Sequence, residues 1–153
     1  MTQFHLWSPF FVRIYRKEPS MNQKRILLVD DDPDQRLTLR LPLENAGYAI
    51  SEAASLDEGL QEVKKTRPDL IILDVMMDTM TSGFQFALTI HSTDPKSAYK
   101  EFIKTPIIML TAIHSTTPMR FHPDEDYLPV GEFLEKPVEP EVLLATVRKH
   151  LSE

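Results

Sequence analysis

The chain has 153 residues, a formal net charge of −6, no cysteine, and 4 glycines against 12 prolines. With 42% hydrophobic and 26% charged residues it has the composition of one ordinary globular domain, neither disordered nor membrane-spanning. Lack of cysteine excludes disulfide frameworks, zinc–cysteine sites, iron–sulfur clusters and thiol nucleophiles, the scattered glycines leave no phosphate-cradling loop, and the acid excess disfavours a nucleic-acid backbone but not a cation.

Residues 1–25 carry Arg13, Arg16, Lys17, Lys24 and Arg25 against Glu18, a balance of +4 that leaves −10 for the remainder. This shift marks residues 1–22 as an N-terminal extension, disordered or the product of a misassigned start ahead of Met21, and residues 23–153 as the folded domain. Phe4, Trp7, Phe11 and Ile14 fall at helical spacing and leave an amphipathic docking arm as the other reading, although Pro9 interrupts it. The run is too short and broken for a transmembrane helix or a signal peptide.

Arg25 to Val29 is an apolar run that reads as a strand buried on both faces, ending at Asp30-Asp31-Asp32. Asp32-Pro33 then opens a helix carrying Leu37, Leu39, Leu41 and Leu43 as core residues, with Pro42 an awkward presence and Gly47 its stop. Residues 48–53 form a second, weaker strand, and Ser55 caps a helix with Leu56, Leu60 and Val63 on one face. Pro68 to Leu73 is a third strand running into Asp74, followed by a helix expected from about Gly83-Phe84 through Ile90. Thr105 to Leu110 is a fourth strand ending at Thr111, and Glu132 to Glu135 a short fifth ending at Lys136-Pro137. Glu139 to Leu151 closes the chain as an amphipathic helix. Alternating strands and helices predict an α/β, doubly wound, parallel sheet with helices on both faces.

In such a sheet ligands bind beyond the carboxyl ends of the strands. Here those ends hold Asp30, Asp31, Asp74, Thr111 and Lys136. Any one of them is ordinary as a helix cap or loop residue; one such group at each of four junctions is not. Clustered carboxylates repel unless protonated or bridged by a cation, and oxygen-only ligands suit Mg²⁺. An aspartate there can accept a phosphoryl group, with a hydroxyl and an ammonium to hold its oxygens.

Four segments in this order, Ile26 to Asp32, Asp69 to Met77, Leu110-Thr111-Ala112 and Phe133 to Pro137, make the chain resemble the receiver domains of two-component response regulators over about residues 24–152. The resemblance implies a flavodoxin-like, five-stranded sheet of order 2-1-3-4-5. It implies that Asp74 is the phosphoacceptor, supplied by a sensor histidine kinase or a histidine phosphotransfer protein. Mg²⁺ would be held by Asp31, Asp74 and the main-chain carbonyl of Met76 directly, and by Asp30 through water. Lys136 would pair with the phosphoryl oxygens ahead of a cis Lys136-Pro137 bond, and Thr111 and Phe133 would form the switch. The same resemblance implies a cytoplasmic phosphoprotein, not a conventional enzyme, with the capacity to catalyse its own phosphorylation and dephosphorylation. It would signal to an unknown downstream protein, with no direct nucleic-acid contact and no membrane insertion. One helix follows Lys136 before the chain ends, so a stand-alone, single-domain type is expected.

The sequence departs from the family's pattern in three places. Asp78 stands where the family usually carries proline, and Gly83 arrives one residue late. Ser92 to Lys104 reads as an insertion, and the prolines between Ser115 and Gly131 predict an irregular fourth helix. Two further readings stand beside the phosphorylatable receiver. A pseudo-receiver would use the same fold as a phosphorylation-independent scaffold; the altered loop after Asp74 favours it, and the five intact site residues argue against it. An aspartate-based phosphatase would need a second aspartate at position 76, which is Met. The five histidines show no metal-ligand spacing and are expected on the surface or in loops.

Overall fold

The computed structural model describes residues 22–75, 80–112 and 130–153. Residues 1–21 of the expected extension 1–22, the Met76 carbonyl, Asp78 and residues 115–129 of the expected irregular helix lie outside the described residues.

Five parallel strands, β1 (Arg25–Val29), β2 (Ala49–Ala53), β3 (Leu70–Asp74), β4 (Ile107–Ala112) and β5 (Glu132–Lys136), lie in the order β2-β1-β3-β4-β5. The helices are α1 (Pro33–Asn45), α2 (Leu56–Thr66), α3 (Met80–Ile90) and α4 (Pro140–His150). Alternate residues of the strands feed two apolar layers. Ile26, Leu28, Ile72 and Ile108 pack with Leu39 and Leu43 of α1 and with Leu143 and Val147 of α4. Leu27, Val29, Leu73 and Met109 face the other way, onto Val63 of α2 and Phe86 and Ile90 of α3. Burying one such side chain stabilises by about 1.5–3 kcal/mol, which is why the runs without polar alternation become the central strands.

The caps follow their chemistry. Asp32 accepts from the Asp34 amide at the start of α1, and Ser55 from the Glu58 amide at the start of α2. Beyond α1, Gly47 adopts φ 101°, a turn that favours glycine. The helix carries through Pro42 to Asn45, because Leu39 and Leu43 on either side of it are buried in the core.

Three expectations are corrected. Leu37 and Leu41 are not core: each is 52% exposed, because the sheet-facing stripe of α1 is set by Leu39 and Leu43 and places both on the opposite side. Helix α3 begins at Met80 rather than near Gly83. Gly83 does not mark a start; it lies inside the helix where the backbone approaches Val75, an added Cβ meeting the Val75 Cα at 3.6 Å. Finally, of the two described histidines His91 lies in a turn, as expected, but His150 stands half-buried at the end of α4. The His91 ring bonds the Thr105 carbonyl at 2.6 Å, and His150 reaches Glu132 at 2.9 Å. Burial pushes the Glu132 carboxyl up, but the bonds from His150 and Lys149 outweigh it and hold the group below its usual range.

The insertion is an ordered connection. Phe102, in a 3₁₀ turn at Lys100–Phe102, is buried, and Lys64 and Arg67 at the end of α2 lie over the rings of Tyr99 and Phe102 at 4.7 and 5.7 Å.

Gly59 of α2 tests the packing of the second layer. A Cβ there would stand 3.1 Å from the Phe86 ring and 3.2 Å from both methyl groups of Val29, and both residues are fully buried. Gly59→Ala is expected to lower the unfolding free energy by about 1 kcal/mol, since overpacking exceeds the helix propensity that alanine brings. Denaturant unfolding checks this; a more stable variant would show that the layer yields.

Candidate functional site

Strands β1 and β3 are neighbours in the centre of the sheet, with Val29 opposite Leu73. The next residues, Asp30 and Asp74, therefore emerge side by side, and both are buried. Asp31 follows on the exposed side of the same turn. One carboxylate oxygen from each of Asp30, Asp31 and Asp74 lies within 4.8 Å of the others. Parallel registry then brings the ends of β4 and β5 to this edge: Asp74 pairs with Leu110, Thr111 with Glu135, and Ala112 with Lys136. Lys136 Nζ donates to Asp74 Oδ2 at 2.6 Å with both side chains largely shielded, a short, charge-assisted bond. The Lys136-Pro137 bond is cis.

The backbone fixes the remaining parts. The Asp32 amide donates to Asp30 Oδ1 at 2.9 Å, and the Asp30 amide to the Ala53 carbonyl at 3.0 Å. Asp30 Oδ2 is buried without a hydrogen-bond partner among the described residues. Burial pushes the Asp30 carboxyl up to about 6; the Asp32 amide opposes this, the Asp74 charge adds to it, Lys136 opposes, and Asp31 adds again. Thr111 is half-buried at the end of β4. Phe133 is half-buried on β5, its ring 6.5 Å from that of Phe84 on α3 in an edge-to-face arrangement.

A hard divalent cation fits this donor set. Three carboxylates converge, and among the described residues a buried oxygen of theirs has no donor and no histidine joins the group. Such a cation relieves the repulsion that one ammonium leaves incompletely balanced.

Of the residues expected from the sequence, Asp30, Asp31, Asp74 and Lys136 meet at one edge, with Thr111 and Phe133 on the strands that complete it; the Met76 carbonyl lies outside the described residues. Sequence reasoning missed Arg36. Its Nη1 donates to the Asp30 carbonyl at 2.6 Å, and its Nε lies 3.5 Å from Glu52 Oε1. A signal was available: Arg36 stands three residues before Leu39 on the sheet-facing side of α1, where a charge requires a partner.

The family model described as the response regulator receiver domain matches residues 26–148. Transcriptional regulatory protein AfsQ1 of Streptomyces coelicolor is 34% identical over 129 residues, covering 80% of this chain and 49% of that protein. Transcriptional regulatory protein YvrH of Bacillus subtilis is 36% identical over 137 residues, covering 86% of this chain and 50% of that protein. The chain thus spans about half the length of these curated relatives. Among solved structures, the chemotaxis response regulator CheY4 of Vibrio cholerae superposes with a TM-score of 0.64 at 34% identity, over 84% of this chain and 98% of that one. A CheY-like response regulator receiver domain protein from Methanospirillum hungatei gives 0.65 at 25% identity, over 85% of this chain and 94% of that one. Among the described residues no helix is long and apolar enough to cross a membrane.

Proposed function

The chain belongs to the response regulator receiver family of two-component systems, and from that premise we propose that it accepts a phosphoryl group on Asp74 and passes the change to a partner protein. The observation that carries this is the buried Asp74 carboxylate, flanked by two further aspartates and bonded at 2.6 Å to Lys136. The donor is a phosphohistidine on a sensor kinase or phosphotransfer protein. An Asp74 oxygen forms the new bond to phosphorus, the phosphorus–nitrogen bond breaks, and the departing imidazole keeps the electron pair.

Lys136 offers its ammonium to the negative charge that spreads over the transferring oxygens. Thr111, one residue past the strand partner of Asp74, supplies a hydroxyl to the same phosphoryl group. Its inward turn leaves space for Phe133, and the outer faces of β5 and α4 change with it. Asp31, Asp74 and the Met76 carbonyl would hold Mg²⁺ directly, and Asp30 would do so through water. When bound, the ion supplies positive charge that the carboxylates and the phosphoryl oxygens share. The chain is not an enzyme acting on a separate substrate; its catalysis is confined to gaining and losing its own phosphoryl group. We place this in the cytoplasm, with output through protein contact rather than direct nucleic-acid contact, in keeping with the net charge of −6.

Labelling with a small acyl-phosphate donor tests the reading. The protein is expected to become labelled with Mg²⁺ present and to stay at background with a chelator. No label under either condition overturns the phosphoacceptor reading; equal label under both overturns the metal.

A further inference from the structure

Among the described residues two buried side-chain polar atoms have no hydrogen-bond partner, Asp30 Oδ2 and Arg36 Nε. They belong to residues already joined, since Arg36 Nη1 donates to the main-chain carbonyl of Asp30 at 2.6 Å. Native proteins leave few such atoms, and each one carries a cost in desolvation. Finding one on each of two residues so joined, with Arg36 Nε balanced only by an ion pair to Glu52 at 3.5 Å, marks a place where position matters more than local stability.

The guanidinium is held from behind. Glu52 on β2 stands 3.5 Å from Arg36 Nε and accepts from Arg40 Nη1 at 3.0 Å, while Arg40 Nε donates to Glu44 at 2.7 Å. Alternating charges thus run from the outer side of α1 to the end of β1. The Asp30 backbone is fixed at its amide by Ala53 and at its carbonyl by Arg36, and with Oδ1 taken by the Asp32 amide the buried Oδ2 is left without a donor among the described residues.

We infer that Arg36 is a positioning residue of the acidic pocket, which sets the Asp30–Asp31 turn for cation binding through its bond to the Asp30 carbonyl. The inference rests on the metal reading above. It gives Arg36 no contact with the ion or the phosphoryl group.

Mg²⁺ titration of the full chain by calorimetry tests it, alongside unfolding of each metal-free variant. Arg36→Met, similar in length but without a donor, is expected to weaken Mg²⁺ binding by about tenfold, the scale at which groups that orient metal ligands act. Arg36→Lys, which restores one charged donor, is expected to recover most of that loss. Glu52→Gln, which leaves the Arg36 donor in place, is expected to change the affinity by less than about threefold. Wild-type affinity in folded Arg36→Met overturns the inference, as does a loss in Arg36→Lys equal to that in Arg36→Met. Should the methionine variant not fold, Arg36→Gln takes its place, and a glutamine variant binding as tightly as wild type counts against the inference. Asp31→Ala separates the two levels: if it binds Mg²⁺ like the wild type, the metal site is wrong, whatever Arg36 does.

Discussion

Asp74→Asn is expected to bring phosphoryl labelling by a small acyl-phosphate donor, or by a phosphohistidine protein, down to background. The substitution keeps shape and volume but replaces the attacking carboxylate by an amide, which has no negative oxygen to offer phosphorus. The neighbouring carboxylates cannot take over easily. Asp30 Oδ1 is held by the Asp32 amide, Asp31 is exposed, and the Lys136 ammonium is bonded to Asp74. Electrophoretic separation of phosphorylated from unphosphorylated protein, with hydroxylamine cleavage as proof of an acyl phosphate, checks the result. Equal labelling of both proteins would place the phosphoryl group elsewhere. A wild type that takes no label yet binds its partner would point to the phosphorylation-independent scaffold.

Asp30→Asn is expected to stabilise the metal-free protein at neutral pH by about 2–3 kcal/mol. Burial first, and then the charge of Asp74, push Asp30 up to about 6 in the folded state from 3.8 in the unfolded chain. Between those values the folded state holds a proton that the unfolded state has released. Its contribution is therefore favourable below about pH 4, declines as pH rises to about 6, and stays at its lowest above that. The asparagine variant lacks this slope. Urea unfolding in the presence of chelator at pH 4, 5, 6 and 7 shows the difference, and parallel curves for the two proteins would remove Asp30 as its source. Saturating Mg²⁺ is expected to stabilise the wild type and to narrow the gap, because a ligand that binds only the folded state raises its stability. On the proposed metal reading, the pocket trades stability for cation binding.

How much of this was legible in the sequence depended on the length scale of each cause. The strands Arg25–Val29 and Leu70–Asp74 were readable because both faces are buried and the runs contain no polar alternation. The caps Asp32 and Ser55 were readable because capping is local. The expected gathering of Asp30, Asp31, Asp74 and Lys136 followed from strand ends sharing one edge, which parallel pairing enforces. What failed was orientation within a helix. Four leucines at every second position of α1 cannot all face the sheet at 3.6 residues per turn, and the two that face out had been counted as core. The start of α3 failed for a different reason: Gly83 reads as a breaker in sequence, but it lies inside the helix, where a Cβ would meet Val75 at an ordinary contact distance of 3.6 Å. Arg36 was overlooked because its partner is a carbonyl, which no sequence pattern displays.

The acidic side chains of the pocket hang from β1 and β3, which have neighbours on both sides, whereas Lys136 ends β5, the terminal strand of the sheet, paired with β4 alone. Edge pairing is the first to open in native-state fluctuations, while interior strands open only when the whole domain does. The pocket's negative charge is therefore carried by the interior of the sheet, but the ammonium that offsets it rides on an edge strand. Each transient departure of β5 leaves Asp74 without its ammonium and raises the pocket's demand for another positive charge. The site is consequently coupled to the frequency with which one edge strand breathes, and a partner that clamps β5 holds the Lys136 ammonium on Asp74 without touching either side chain.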